Sequence, residues 1–250
     1  MRLLALLLLS FTANAFEAFD ASNFSNPHAY LGAPVDIIYE NQIVSTPCYG
    51  VPPVESEVKA NLLNKYTSPP ARLIIDIECW KLLDPINTDP NADAHVLYYM
   101  QVLNWAREVL PGTDLGYFGL PHTSWEIIGK PQNRPAYEEM INRLLPVLNA
   151  VDTVYPAFYV EYDSPKKLDY NNAIHLQFAR TTGKPVMPFV WHRGPGANFN
   201  NELLPTHLVN QQCDFIRSFA DGVIMWSIST ETWGNAWWYA HSARCLLIDQ

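Results

Sequence analysis

The run Leu73 to Trp80, LIIDIECW, sets two carboxylic acids, Asp76 and Glu78, two positions apart at the end of an apolar, strand-like stretch. Strand side chains alternate faces, so both acids point the same way, roughly 6 to 7 Å apart along the backbone. Two acids sharing a pocket cannot both ionise freely, which keeps one protonated near neutral pH. In an α/β barrel the carboxyl ends of the strands carry the chemistry, because the loops that follow build the site there. Without chemistry, the same pair reads as an Asp capping the next loop and a Glu in an ion pair. Other strand ends add Tyr155 and Tyr159 from VYPAFYVEY, Trp191 and His192 from VMPFVWHR, and Trp226 from GVIMWS. Gathered in one cleft, these residues suit carbohydrate chemistry: aromatic faces stack on sugar rings, and carboxyls protonate a glycosidic oxygen and stabilise an oxocarbenium-like centre. The plain alternative is core packing, since a barrel interior accepts Trp and Tyr without any ligand.

Two-carboxylate glycosidases usually carry their acids on different strands, about 5 to 5.5 Å apart for retention and about 6.5 to 9.5 Å for inversion. A D-x-E pair on one strand suits another arrangement. If the sugar bears a 2-acetamido group, its carbonyl oxygen can act as nucleophile, with Glu78 as general acid/base and Asp76 orienting the acetamido nitrogen. A tyrosine such as Tyr159 would donate a hydrogen bond to the acetamido oxygen.

The elements that must position these residues alternate along the chain. Buried strands are expected at Val35 to Tyr39, Arg72 to Glu78, Leu115 to Leu120, Thr153 to Val160, Val186 to Trp191 and Gly222 to Ile228. Helices are expected over Glu55 to Lys65, Asn91 to Leu110, Pro135 to Leu148 with Pro146 as a kink, Ser164 to Gly183, from Thr206, and Asn235 to Cys245. Alternating βα units imply a parallel sheet with right-handed crossovers. The expectation is an α/β protein with a distorted (β/α) TIM-like barrel of seven or eight strands, one or two of them not visible in the pattern. An open doubly wound sheet is the alternative. With no internal repeat or linker, residues 16–250 read as a single barrel domain.

Residues 1–15 read as a signal peptide: Arg2, the leucine-rich run Leu3 to Leu9 and Ala13-Asn14-Ala15 give the charged start, short apolar stretch and cleavage site. No later stretch reaches the ~20 apolar residues of a membrane span. A secreted, extracellular protein is expected, acting as a monomer. The chain carries 16 basic and 25 acidic side chains, a formal net charge of −9, with the basic residues scattered, so nucleic acid is excluded as a partner. Cys48, Cys79, Cys213 and Cys245 form an even set that favours two disulfides, and three connectivities are possible. Pairing Cys213 with Cys245 ties the last two helical segments and leaves Cys48 with Cys79. No C-x-x-C or His cluster has zinc spacing, so neither metal nor cofactor is expected. Asn23-Phe24-Ser25 is a glycosylation sequon. Arg193-Gly194-Pro195-Gly196 is a turn-rich loop able to grip an anionic sugar, and Trp237 and Trp238 are expected to pack the last helix. Neither a G-x-S-x-G elbow nor a nucleotide-binding G-x-G-x-x-G follows a strand.

Taken in order, several blocks resemble the hyaluronidase-type glycoside hydrolases, over about Pro34 to Ser229. VDIIYENQI resembles their first-strand motif with its Tyr, IDIECW their I-D-W-E-x-W acid motif, and LGYFGLPH their G-Y-Y-x-x-P stretch. VYPAFYV resembles P-S-I-Y, KPVMPFV the L-P-V-x-P-Y-V strand, and GVIMW the G-V-V-x-W segment. The resemblance implies a distorted barrel and a retaining, acetamido-assisted mechanism on a polysaccharide with N-acetylhexosamine units. It makes Glu78 the proton donor, Asp76 its acetamido-positioning partner, Tyr159 the acetamido-binding Tyr, Trp226 an aromatic wall and Tyr39 a first-strand substrate contact. Ile77 replaces the Trp between the acids, the N-W-x-x-x-Y pattern is missing, and Phe189 stands where the family has Tyr. These departures and the acidic charge bear against hyaluronan more than against the acid chemistry. Two other readings remain: a non-catalytic glycan-binding barrel, and a chitinase- or lysozyme-like hydrolase on the same fold.

Overall fold

The computed structural model describes residues 16–21, 33–45, 47–84, 87–121, 130–195 and 199–227. The expected leader with its cleavage site, the sequon, Gly196, Trp237, Trp238, Cys245 and the last helix lie outside them.

The described elements are β1 (Glu17–Ala21), β2 (Ala33–Pro34), β3 (Asp36–Tyr39), α1 (Glu40–Ile43), α2 (Glu55–Lys65), β4 (Arg72–Asp76), β5 (Leu83–Asp84), β6 (Asn87–Thr88) and α3 (Ala92–Val109). They continue with β7 (Asp114–Tyr117), α4 (Arg134–Ala150), α5 (Pro165–Arg180), β8 (Phe189–Trp191), α6 (Thr206–Phe219) and β9 (Gly222–Trp226). Apart from the small antiparallel pair β5–β6, every pairing among the described strands is parallel.

The pairings close into a ring. β1 lies between β9 and β2, while β3, the continuation of β2, pairs with β4, and β4 pairs with β7. The circuit runs on through parallel bridges from Phe118 to Tyr155, Val154 to Val186 and Ala157 to Phe189, and β8 then pairs with β9. Seven strand lines result among the described residues, the lower bound of the expected range. The run from Thr153 is extended but not a continuous strand, for a local reason: Pro156, Pro185 and Pro188 have no N–H to give a ladder. Their carbonyls still accept, from Phe189, Val154 and Ile224, which keeps the three lines in register. β1 is the strand the sequence pattern does not reveal, because Glu17 and Asp20 make its five residues look polar. Asp20 is nevertheless buried.

Alternation sorts the strand residues into two cores. Leu73, Ile75 and Leu115 face outward against Val102, Leu103 and Ala106 of α3 and Ile141, Leu144 and Leu148 of α4. Val190, Val223 and Met225 face outward against Leu208, Val209 and Ile216 of α6. Ile74, Tyr155, Met187, Phe189 and Ile224 fill the barrel interior, with Phe19, Ile37, Phe118, Tyr159 and Trp226 packed on them.

The amino ends of the strands are closed by Arg72. Its guanidinium pairs with Asp114 at 3.0 Å and Glu17 at 3.2 Å, and lies 4.3 Å from the Phe19 ring centre. Just above, Gly116 leaves room for the Tyr155 ring: a Cβ there would stand 2.3 Å from the Thr153 carbonyl oxygen and 2.5 Å from that ring. Gly116→Ala is therefore expected to cost about 1 to 3 kcal/mol. Urea denaturation measures this, and an unchanged midpoint would contradict the packing described.

Candidate active site

At the carboxyl end of the barrel, Asp76, Glu78, Ile37, Phe118, Tyr159, Phe189, Trp191 and Trp226 line an open hollow of about 130 Å³. Asp76 is half-buried, whereas Glu78 stands exposed at the mouth. The walls are aromatic: the Trp191 and Trp226 ring centres are 5.1 Å apart at 72°, and Tyr159 lies 5.9 Å from Trp191 and 6.2 Å from Trp226. The Trp191 side chain is buried, and its indole N–H has no hydrogen-bond partner among the described residues. None of the described lining residues is Lys, Arg or His.

The acids sit in poor solvent beside one another. Burial first, then the charges of Glu78 and Glu40, push the Asp76 carboxyl up to about 7. Partial burial of its carboxyl, then Glu40, raises Glu78 as well. Interacting acids titrate as a pair, so the pair retains a proton to near neutral pH. Burial followed by the same two acids and Tyr39 drives the Tyr159 hydroxyl well above its ordinary value, which keeps it a neutral donor.

The turn after β4, which carries Glu78, is tied down on several sides. The Glu40 carboxylate accepts the backbone N–H of Glu78 at 3.0 Å and of Cys79 at 3.1 Å. From α3, the buried Tyr99 hydroxyl lies 2.9 Å from the Ile77 carbonyl and 3.1 Å from that of Trp80. The Trp80 indole N–H donates to the Cys48 carbonyl at 3.0 Å, and a disulfide joins Cys48 to Cys79. Cys213 is also disulfide-bonded; its expected partner, Cys245, lies outside the described residues. Glu40, Cys48 and Cys79 cluster closely, but with both sulfurs in the disulfide they offer no thiolate to a metal.

Of the residues expected from the sequence, Asp76, Glu78, Tyr159, Trp191 and Trp226 come together around the hollow. Tyr39 is half-buried and in register with Asp76. Tyr155 does not line it: the ring is fully buried deep in the barrel, and its hydroxyl feels Asp114 and Arg72 at the opposite end. Nor does His192, buried behind Trp191 with its ring at 88° to the indole. Arg193 donates to the Asn201 carbonyl at 2.8 Å, folding its loop on itself. Sequence reasoning missed Glu40, Tyr99 and the wall residues Ile37 and Phe118. For Glu40, an acidic residue directly after the first-strand Tyr is the signal that was there.

No protein-family model and no curated protein matches the chain. Among solved structures, the fold matches bee venom hyaluronidase with a TM-score of 0.64 at 12% identity, covering 92% of this chain and 95% of that one. It also matches the same bee venom enzyme in complex with a hyaluronic acid tetramer, with a TM-score of 0.61 at 15% identity, over 92% and 94% of the two chains. The chain thus has the α/β barrel fold of a hyaluronidase. At these identities the likeness is one of fold.

Two outcomes follow from the site's geometry. Tyr99→Phe removes the donor shared by two buried carbonyls and is expected to cost about 1 to 2 kcal/mol in thermal or urea melts. Because folding raises the Asp76 pKa, the unfolded chain ionises first, and stability falls as pH rises from about 4 to about 7. Asp76→Asn is therefore expected to stabilise the protein by roughly 2 to 4 kcal/mol at pH 8 and by little near pH 3.5. A melting temperature no higher than wild type at pH 8 would refute this.

Proposed function

We propose that the protein is a secreted, monomeric glycoside hydrolase that cleaves a polysaccharide containing N-acetylhexosamine by a retaining, acetamido-assisted route. One observation carries the reading: Asp76, Glu78 and Tyr159 share a single open hollow walled by Trp191 and Trp226. The hyaluronidase fold and the disulfide fit it. In the first step the acetamido oxygen attacks C1 and the glycosidic C–O bond breaks, while Glu78 gives its proton to the leaving oxygen. A carboxyl oxygen of Asp76 accepts the acetamido N–H, the fraction of the pair with its shared proton on Glu78 leaves Asp76 ionised to offset the positive charge of the cyclic intermediate, and Tyr159 donates to the acetamido oxygen. Water then attacks C1, Glu78 takes its proton, and the acetamido group re-forms with net retention. The two tryptophans supply stacking faces. Because the described wall bears acids and no cation, it favours an uncharged N-acetylhexosamine at the reacting position.

Glu78→Gln is expected to abolish release of reducing ends with the fold intact. Wild type and variant should be assayed together on hyaluronan, chondroitin, chitooligosaccharides and peptidoglycan. Undiminished turnover in the variant would refute the assignment, and binding to glycans with no hydrolysis by wild type would point to a lectin-like barrel. An N-acetylglucosamine-derived thiazoline should inhibit competitively.

Wild-type activity should decline as pH rises through about 7, where the pair gives up its last proton and no acid remains to protonate the leaving group. A pH profile of kcat/KM that rises through that range would contradict the acid's role.

A further inference from the structure

We propose that Glu40 is a positioning residue of this site: its carboxylate clasps the turn that carries Glu78 and fixes the negative charge against which the acid pair works. The inference rests on reading Asp76 and Glu78 as the reacting acids, and it goes beyond that reading by giving a role to a residue outside the hollow's wall.

The geometry comes from strand pairing. Tyr39 is opposite Asp76 across β3 and β4, so the next residue, Glu40, stands level with the start of the turn. α1 opens at Glu40, and its side chain reaches across to two successive N–H groups, those of Glu78 and Cys79. These donors come just after the end of β4, at Asp76. A carboxylate that accepts two backbone N–H groups is held in one orientation, and charge-assisted bonds of this kind are about twice as strong as neutral ones. Glu78 is thereby fixed through its own backbone, at the cost of a third carboxylate close to two others.

The charge balance around the pair is one-sided. Asp76 and Glu78 extend from β4, Tyr39 comes from β3, Tyr99 from α3 and Tyr159 from the line after Thr153. Among the described residues, Lys65 of α2 approaches α1, and its ammonium donates to the Ile37 carbonyl at 3.0 Å and to Gln42 at 2.7 Å. Both acids are nevertheless raised, each with Glu40 among the causes. Holding the turn and holding the proton are thus two effects of one side chain, and they can be separated. Gln keeps an acceptor oxygen without the charge, whereas Ala removes both.

The full chain is prepared as wild type, Glu40→Gln and Glu40→Ala. Carboxyl-carbon NMR follows the titration of Asp76 and Glu78, and amide exchange follows the Glu78 and Cys79 N–H groups. In Glu40→Gln the last titration midpoint of the pair should fall by about half a unit to one unit, a roughly three- to tenfold loss of proton affinity, and the alkaline limb of kcat/KM should move with it. In Glu40→Ala exchange at the two amides should accelerate about tenfold or more. An unmoved midpoint in folded Glu40→Gln, or unaltered exchange in Glu40→Ala, would overturn the proposal. If Glu40→Ala does not fold, the Glu40→Gln titration decides alone. Failure of wild type to cleave any of the four polymers would sink the hydrolase reading and leave titration and exchange to judge Glu40 separately.

Discussion

The turn from Ile77 to Trp80 is the constraint on which the site depends. A strand ends at Asp76, and an unsupported chain beyond it would leave Glu78 free to swing into solvent. Each support comes from a different part of the fold: Glu40 from the end of β3, Tyr99 from α3, the Trp80 indole from within the turn, and Cys79 through its bond to Cys48. Several of these contacts engage backbone groups, so the position of the acid is set largely by main-chain geometry. The disulfide closes a loop of 31 residues in sequence separation, a constraint worth about 3 to 4 kcal/mol in the chain-entropy model. Because its two sulfurs lie within 4.8 Å of the Glu40 carboxylate that holds the turn, that constraint acts where the turn most needs it.

The same arrangement carries an electrostatic cost. Three carboxylates gather near a mouth whose described wall offers no cation, and burial disfavours the ionised form of the deeper ones. The layer between barrel and helices offsets that cost through buried apolar surface. Unfavourable charge at a site and ample packing elsewhere is the pattern expected where ionisation has to be tuned for chemistry.

How much could be read in the sequence follows from what a local pattern can encode. The alternation in LIIDIECW places both acids on one face, and this holds because the face depends only on neighbouring residues. Depth is different. Tyr155 and Tyr159 share a face but lie about 13 Å apart along the backbone, so one reaches the hollow and the other the opposite end. Adjacent residues must also diverge, and Trp191 and His192 therefore cannot both face a ligand. The position of Glu40 after the first-strand Tyr was visible, but its role was not, because that role arises from the register of β3 on β4, a contact between segments more than 30 residues apart. β1 escaped notice because a five-residue strand with two acids has no apolar signature. The prolines of the later strands left an apolar run visible while breaking the ladder that would have confirmed it.

The Arg72 clasp has a consequence for how this molecule could change over time. It makes the barrel a one-ended vessel: a cation gripped by two acids and capped on an aromatic ring forms the floor, and the hollow opens at the rim. Rim and floor are built from opposite ends of the same strands and share few side chains. Substitutions beneath can therefore harden or soften the scaffold with little effect on Asp76 and Glu78, while those above can reshape the wall of the hollow at small risk to folding.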